Sequence, residues 1–145
     1  MALKLNLTKI MGYVKKELKS DWKKLNFTYK HEKDEINVAA SLTLNNHDDD
    51  IRAIINVYIG GGATFRAVFD KIEKTSEVLS LVNDFNDDNL FFKAFVRDDG
   101  YLELRHFMVC YDEKIFKDYS GEFLSRLAKL ADNKILQKLT KLTHS

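Results

Sequence analysis

Histidine and cysteine side chains perform much of the catalytic chemistry that proteins carry out near neutral pH, and this chain holds few of them. The four histidines and the single cysteine are His31, His47, His106, His144 and Cys110. The histidines are scattered along the sequence, and no nucleophile elbow, metal-ligand pair or cofactor fingerprint accompanies them or Cys110. We therefore expect a protein that is not an enzyme and that binds no cofactor.

Two short segments invite comparison with ion-binding loops. Residues 45–50 (NNHDDD) are rich in oxygen ligands, but they lack the glycine and the distal glutamate of an EF-hand loop. Residues 60–62 (GGG) are not followed by the GKS or GKT of a phosphate-binding loop, and the next segment has the pattern of a strand. We interpret both as turns and predict no metal site.

The pattern that favours binding lies between residues 91 and 109, where aromatic and charged side chains alternate with apolar ones. One side of these two strands mixes rings with arginine and lysine, as recognition surfaces do. It is alternatively a solvated face on which Phe91 stacks opposite Phe107, or a face covered by the C-terminal helix. The predicted partner-binding residues are Phe91, Lys93, Phe95, Arg97, Tyr101, Arg105 and Phe107.

The other side of the same two strands is apolar and fixes their register. A two-residue loop would turn the two apolar sets to opposite sides of the sheet. A loop of Asp98, Asp99 and Gly100 instead lets them share a core, with glycine at the position that needs a positive φ. We therefore predict the three-residue loop. The apolar sets are Leu90, Phe92, Ala94 and Val96 on the first strand, and Leu102, Leu104, His106 and Met108 on the second.

Periodic patterns elsewhere predict the elements that position this hairpin. A helical stripe runs through residues 8–20, strand patterns occupy residues 25–29, 36–44, 51–59 and 65–69, and a central helix follows Thr75 as its N-cap. Residues 124–142 again have a helical period, with a break at Asp132 and Asn133. We predict an α+β fold with an antiparallel sheet, an N-terminal helix, a central helix before the last β-hairpin and a C-terminal helix (α-β-β-β(-β)-α-β-β-α).

Length and composition set the broad class. A chain of 145 residues with 45% hydrophobic and 31% charged residues suits one domain, in which residues 132–145 could form a separate C-terminal helix. No apolar run is long enough to cross a bilayer, and the N-terminus lacks the pattern of a signal peptide. One cysteine suits a reducing compartment, so we expect a cytoplasmic protein that does not bind membranes.

Four successive segments resemble the YbjN-like family of bacterial sensory-transduction regulators. They are residues 81–86 (LVNDFN), the aromatic strand after them, the turn DDG at 98–100 and the strand YLEL at 101–104. The similarity covers residues 70–130. That family shares the fold of type III secretion chaperones, and the resemblance implies a small cytoplasmic domain that binds polypeptide or itself. It supplies no ligand-binding residues, and we interpret Asn83 and Asn86 as structural residues at a helix end.

These observations favour a non-catalytic protein-binding, chaperone-like or regulatory module whose partner is a protein or peptide, with a homodimer among the candidates. The alternative is a small nucleic-acid-associated or host-modulating protein that uses its lysine-rich helices, where Lys15-Lys16 and Lys23-Lys24 are clustered. A net charge of +1 makes nucleic acid the weaker choice.

Overall fold

An antiparallel sheet with helices packed on one side forms the fold, as the α+β prediction required. The computed structural model describes residues 6–18, 27–43, 50–110 and 112–144. The helices are α1 (Leu7–Tyr13, continued by π-helical turns over Val14–Leu18), α2 (Ser76–Asp88), α3 (Glu113–Lys129) and α4 (Lys134–Lys141), with a 3-10 turn at Leu130–Asp132. The strands are β1 (Thr28–His31), β2 (Glu35–Thr43), β3 (Asp50–Tyr58), β4 (Gly62–Ile72), β5 (Lys93–Val96), β6 (Tyr101–Val109) and β7 (Thr143–His144).

The strand order across the sheet is β1-β2-β3-β4-β6-β5, and β7 pairs with β4. Strands β1 to β4 form a meander of neighbouring hairpins, whereas β6 inserts between β4 and β5. A β-bulge interrupts the pairing of β4 with β6, because Val68 pairs with Glu103 but Lys71 pairs with Tyr101. Two residues of β4, Phe69 and Asp70, therefore oppose one residue of β6.

The hairpin of β5 and β6 has the predicted register. Ala94 pairs with Leu104 and Val96 pairs with Leu102, and the backbone N–H of Gly100 donates to the carbonyl of Arg97 at 2.9 Å. Gly100 has φ +91°, a conformation that glycine adopts without the steric penalty of a Cβ. The three-residue loop is confirmed.

Polar side chains cap the starts of the helices, and the predicted cap at Thr75 is among them. The hydroxyl of Thr75 accepts from the backbone N–H of Val78 at the start of α2, and the carboxylate of Asp112 accepts from Ile115 at the start of α3. Asn133 ends the 3-10 turn and caps α4 by accepting from Leu136. The predicted break in the C-terminal helix therefore exists, although α4 packs against α2 and its Leu136 and Leu139 belong to the common core.

The core fills the space between the sheet and the helices. Its largest buried side chains come from both layers, and Phe123 of α3 makes edge contacts with Phe65 of β4 and with Phe92, at ring-centroid distances of 5.3 and 5.9 Å. Alternate residues of β2, β3 and β4 point into it, as the strand periodicity predicted. Within the described residues, no helix is long and apolar enough to cross a membrane.

The start of β5 differs from the prediction. The alternation does not extend back to residue 90, because the side chain of Asn89 accepts from the backbone N–H groups of Phe91 and Phe92 and forms a turn there. Leu90, expected in the core, is 92% exposed. Phe91, expected beside Phe95 and opposite Phe107, instead packs against His106 on the helical side. The predicted elements at residues 19–26 and 44–49 lie outside the described residues.

The outer edge of β5 is covered by a side chain of α2. The amide of Asn86 donates to the carbonyl of Ala94 at 3.0 Å and accepts from the N–H of Ala94 at 2.6 Å. These two backbone groups point away from β6, so they are the ones that an added strand would use. Asn86 therefore closes the edge of β5 and does not cap its helix, a role that Asn89 fills.

Candidate binding face of the sheet

The side of the sheet opposite the helices carries most of the residues that the sequence pattern singled out. Cross-strand pairing places one set of alternate side chains on this side, and we call it the open face. Phe107 is 62% exposed there, so the C-terminal helix does not cover it. The open face comprises Asn37, Ala39 and Ser41 of β2, Arg52, Ile54, Asn56 and Tyr58 of β3, Gly62, Thr64, Arg66 and Val68 of β4, Lys93 and Phe95 of β5, and Tyr101, Glu103, Arg105, Phe107 and Val109 of β6.

A fully buried carboxylate lies at the centre of the open face. Glu103 accepts from Arg66 Nε at 3.1 Å through Oε1, and from Arg105 Nε and Nη2 at 2.8 and 2.7 Å through Oε2. Nη1 of Arg97 lies 3.6 Å from Oε1, while Nη2 of Arg97 donates to Asp99 at 2.7 Å. Three guanidinium groups thus surround one carboxylate, which accounts for a glutamate at 0% exposure.

Apolar and aromatic neighbours keep water away from Glu103. Val68 pairs with it on one side and Phe95 on the other. The guanidinium of Arg105 lies over the ring of Phe95 at 4.9 Å, and that of Arg97 lies over Tyr101 at 5.7 Å. Stacking on a ring fixes the plane of a guanidinium group, so these arginines are oriented before any ligand arrives.

A chain of polar side chains continues this cluster across the sheet. Arg66 Nη1 donates to Asn56 Oδ1 at 3.3 Å, and the amide of Asn56 donates to Asn37. The chain therefore runs from β2 through β3 and β4 to β6. Because each member restricts its neighbour, the open face presents a fixed pattern of donors.

A cleft of about 750 Å³ opens at the end of the face where the β-bulge lies. Phe69 and Asp70, the two bulged residues, form part of its wall. This volume falls in the range of ligand-binding sites. The other lining residues are Ser41, Asp50, Ile51, Arg52, Ile54, Arg66, Val68, Arg97 and Tyr101.

Arg52 differs from the other arginines of the cleft. Arg66 and Arg97 both contact carboxylates, but within the described ranges Arg52 has no ion pair and no hydrogen bond from its side chain, and the residue is exposed. Of these arginines, Arg52 is therefore the one that can bind an anion from outside the protein without breaking an existing ion pair or hydrogen bond.

Most of the predicted binding residues lie together on one side of the sheet. Lys93, Phe95, Tyr101, Arg105 and Phe107 lie on the open face, and Arg97 lines the cleft beside it. Phe91 does not: its ring stacks on His106 at 4.0 Å and carries the guanidinium of Arg126 of α3 at 5.0 Å. The placement of Phe91 was wrong, because the strand begins only at Lys93.

Three residues of β3 and β4 that complete the open face were not predicted: Arg52, Arg66 and Asn56. Each occupies the polar position of an alternating strand, and that alternation was the available signal. Their approach to Glu103 depends on the pairing of β4 with β6, which no short-range pattern specifies.

His106 lies on the opposite side of β6 and contributes to packing. Its Nδ1 donates to the carbonyl of Phe91 at 2.8 Å, and its ring lies parallel to those of Phe91 and Tyr119. Since a carbonyl only accepts, Nδ1 carries a proton. Nε2 is buried and finds no partner among the residues that the structure describes. The imidazole is therefore enclosed between rings, away from the open face.

Cys110 is also enclosed, at the end of β6. Its thiol donates to the carbonyl of Asp112 at 3.4 Å, and burial raises the pKa of this thiol above its ordinary value. A buried thiol with a raised pKa is a poor nucleophile. Over the parts of the chain that the structure describes, no group of three or more histidine, cysteine, aspartate or glutamate residues could hold a metal ion.

Two comparisons with known proteins identify no relative of this chain. A scan against models of protein families finds no match, and a search of curated proteins finds none either.

Proposed function

We propose that the protein is a non-catalytic binding module, of a chaperone-like or regulatory kind, that takes an extended polypeptide segment on the open face of its sheet. The observation that carries this proposal is the combination of exposed apolar surface at Phe107 and Tyr58 with guanidinium groups fixed by buried Glu103. Rigid aromatic and arginine side chains are the groups that dominate protein-binding surfaces.

The edges of the sheet bear on how such a segment would bind. Asn86 already occupies the outward backbone groups of Ala94, so strand addition at β5 would first have to break two hydrogen bonds. Contact through side chains on the open face has no such cost. The resemblance of residues 70–130 to the YbjN-like family points to the same class of function, and a cytoplasmic location suits a chain with one buried cysteine.

Self-association is a weaker use of the open face. Four cations, Arg52, Arg66, Arg105 and Lys93, lie with one carboxylate, Glu103, in the two central rows of side chains. A twofold contact centred there would bring like charges together. A heterologous polypeptide avoids this repulsion.

The test uses three pools of synthetic peptides, each about twelve residues long and fluorescein-labelled. Alternate positions are fixed as glutamate, lysine or serine in the three pools, and the remaining positions are randomised. We expect at least one pool to bind, as measured by fluorescence anisotropy, and Phe107→Ser to weaken binding about tenfold, as the loss of an interface aromatic does.

Leu90→Ser is the matched control, because it also removes an exposed apolar side chain but lies away from the open face. It should bind the pools as the wild type does. Phe107 is preferred to Phe95 for this test, since Phe95 covers Glu103 and its removal would disturb the ion pairs. Binding of no pool to the wild type, or equal losses in the two variants, would refute the proposed function.

A further inference from the structure

The charges of the open face specify what kind of polypeptide it suits. Cations lie on the four neighbouring strands β3, β4, β6 and β5, one from each strand: Arg52, Arg66, Arg105 and Lys93. Arg66, Arg105 and Lys93 share one row of paired residues, whereas Arg52 lies one row further along β3, opposite Val68. Adjacent strands are about 4.8 Å apart, so these cations extend over roughly 15 Å across the sheet. An extended segment of about five residues has the same length.

We propose that the bound segment is acidic, with carboxylates at alternate positions, and that the cleft beside the bulge binds one of these carboxylates through Arg52, Arg66 and Arg97. This inference rests on the proposed function and names the chemistry of its ligand. In an extended segment, alternate side chains point the same way, so acidic residues two positions apart meet the cations while the intervening residues face solvent.

The cleft is prepared for a carboxylate. Glu103 and Asp99 fix the guanidinium groups of Arg66 and Arg97, and both of these side chains remain partly exposed. Arg52 supplies a guanidinium that has no ion pair within the described ranges. Because guanidinium groups bind carboxylates through two parallel hydrogen bonds, groups oriented in advance lose less entropy when the ligand arrives.

Nucleic acid fits the same surface less well. Single-stranded nucleic acid gains much of its affinity from bases stacked on aromatic rings. The ring of Phe95 already carries Arg105, and the ring of Tyr101 carries both Arg97 and Lys71, at 5.7 and 5.4 Å. The carboxylates of Asp50 and Asp70 also line the cleft and repel any anion there. The proposed segment places a single carboxylate in the cleft, whereas nucleic acid carries a phosphate at every residue and is repelled more strongly.

The experiment measures the affinity of the glutamate, serine and lysine pools for four proteins: wild type, Arg52→Gln, Asp70→Asn and Lys129→Gln. Lys129 is exposed on α3, so Lys129→Gln matches the charge change of Arg52→Gln away from the open face. We expect the glutamate pool to bind most tightly and Arg52→Gln to weaken it about fivefold. Asp70→Asn should strengthen it, because one repulsive charge leaves the cleft.

The outcomes separate this inference from the proposed function. Equal binding of the serine and glutamate pools, with Phe107→Ser still defective, would overturn the acidic ligand and leave the polypeptide-binding face intact. Equal effects of Arg52→Gln and Lys129→Gln would overturn the role of the cleft. Tighter binding of a twelve-nucleotide oligothymidylate than of the glutamate pool would replace the acidic segment by nucleic acid.

Discussion

Arg66 and Arg105 lie directly opposite each other on β4 and β6, and each donates to a different oxygen of the Glu103 carboxylate. Like charges that face each other across a sheet are destabilising, so this pair depends on the negative charge between them. Glu103 is thus a structural requirement for the cationic face as well as a member of it.

We expect Glu103→Gln to lower the free energy of unfolding by about 2 kcal/mol, because three partly exposed guanidinium groups lose the buried carboxylate that neutralises them. Glu122→Gln is the control: it removes a carboxylate from the exposed pair with Arg126 and should cost less than about 1 kcal/mol. Urea denaturation measures both. Similar midpoints for the two variants would show that the buried cluster contributes no more than a surface ion pair.

Asn86→Ala should destabilise the protein by about 1–3 kcal/mol, since it removes both hydrogen bonds to Ala94 and leaves two backbone groups unpaired at the edge of β5. The free edge should also promote self-association, seen by sedimentation velocity. Asn83→Ala, one turn earlier on the exposed side of α2, is the control and should change neither property. A monomeric Asn86→Ala with wild-type stability would contradict the edge-covering role.

Gly100→Ala should cost about 1–2 kcal/mol, because a Cβ is strained at φ +91° although no atom lies within 4 Å of it. Gly60→Ala offers the matched comparison, since a Cβ there also meets no atom within 4 Å and its φ is not in the left-handed region. Thermal and urea unfolding of both variants measure the difference. Equal stability would mean that the loop relaxes to another turn type.

Stability should fall as the pH rises above about 9, the ordinary pKa of the Cys110 thiol, because burial raises the pKa in the folded state. In that range the unfolded chain loses the thiol proton while the folded chain keeps it, so unfolding releases a proton and is favoured by alkali. The stability of Cys110→Ala should fall less steeply over the same pH range. Reaction with a thiol reagent such as DTNB should likewise be slow until denaturant is added, and rapid reaction of the folded protein would contradict the burial of the thiol.

The sequence predicts those parts of this fold that depend on neighbouring residues. The loop at Gly100 and the register of β5 with β6 follow from the alternation of apolar residues and from the conformational freedom of glycine. The cap at Thr75 and the break before α4 follow from local side-chain chemistry in the same way.

Two kinds of feature could not be predicted: contacts between residues far apart in the sequence, and places where a side chain takes the hydrogen bonds that a strand would have made. Nothing near Glu103 in the sequence indicates that Arg66, 37 positions earlier, meets it across β4 and β6. The misplacement of Leu90 and Phe91 has a different cause, because Asn89 binds the backbone at the point where the strand pattern would have continued. Half of the candidate site was therefore visible in the β5–β6 hairpin, and the half from β3 and β4 was not.

The insertion of β6 between β4 and β5 has a consequence for the order of folding. Strands β1 to β4 and the hairpin of β5 and β6 each form from local contacts, whereas the pairing of β4 with β6 closes a longer loop at a higher entropic cost. The two parts should therefore form first and associate afterwards, and the ion pairs of Glu103 should form only at that late stage. Interactions made after the transition state act on the unfolding rate, so Glu103 should govern how long the folded molecule survives rather than how fast it forms.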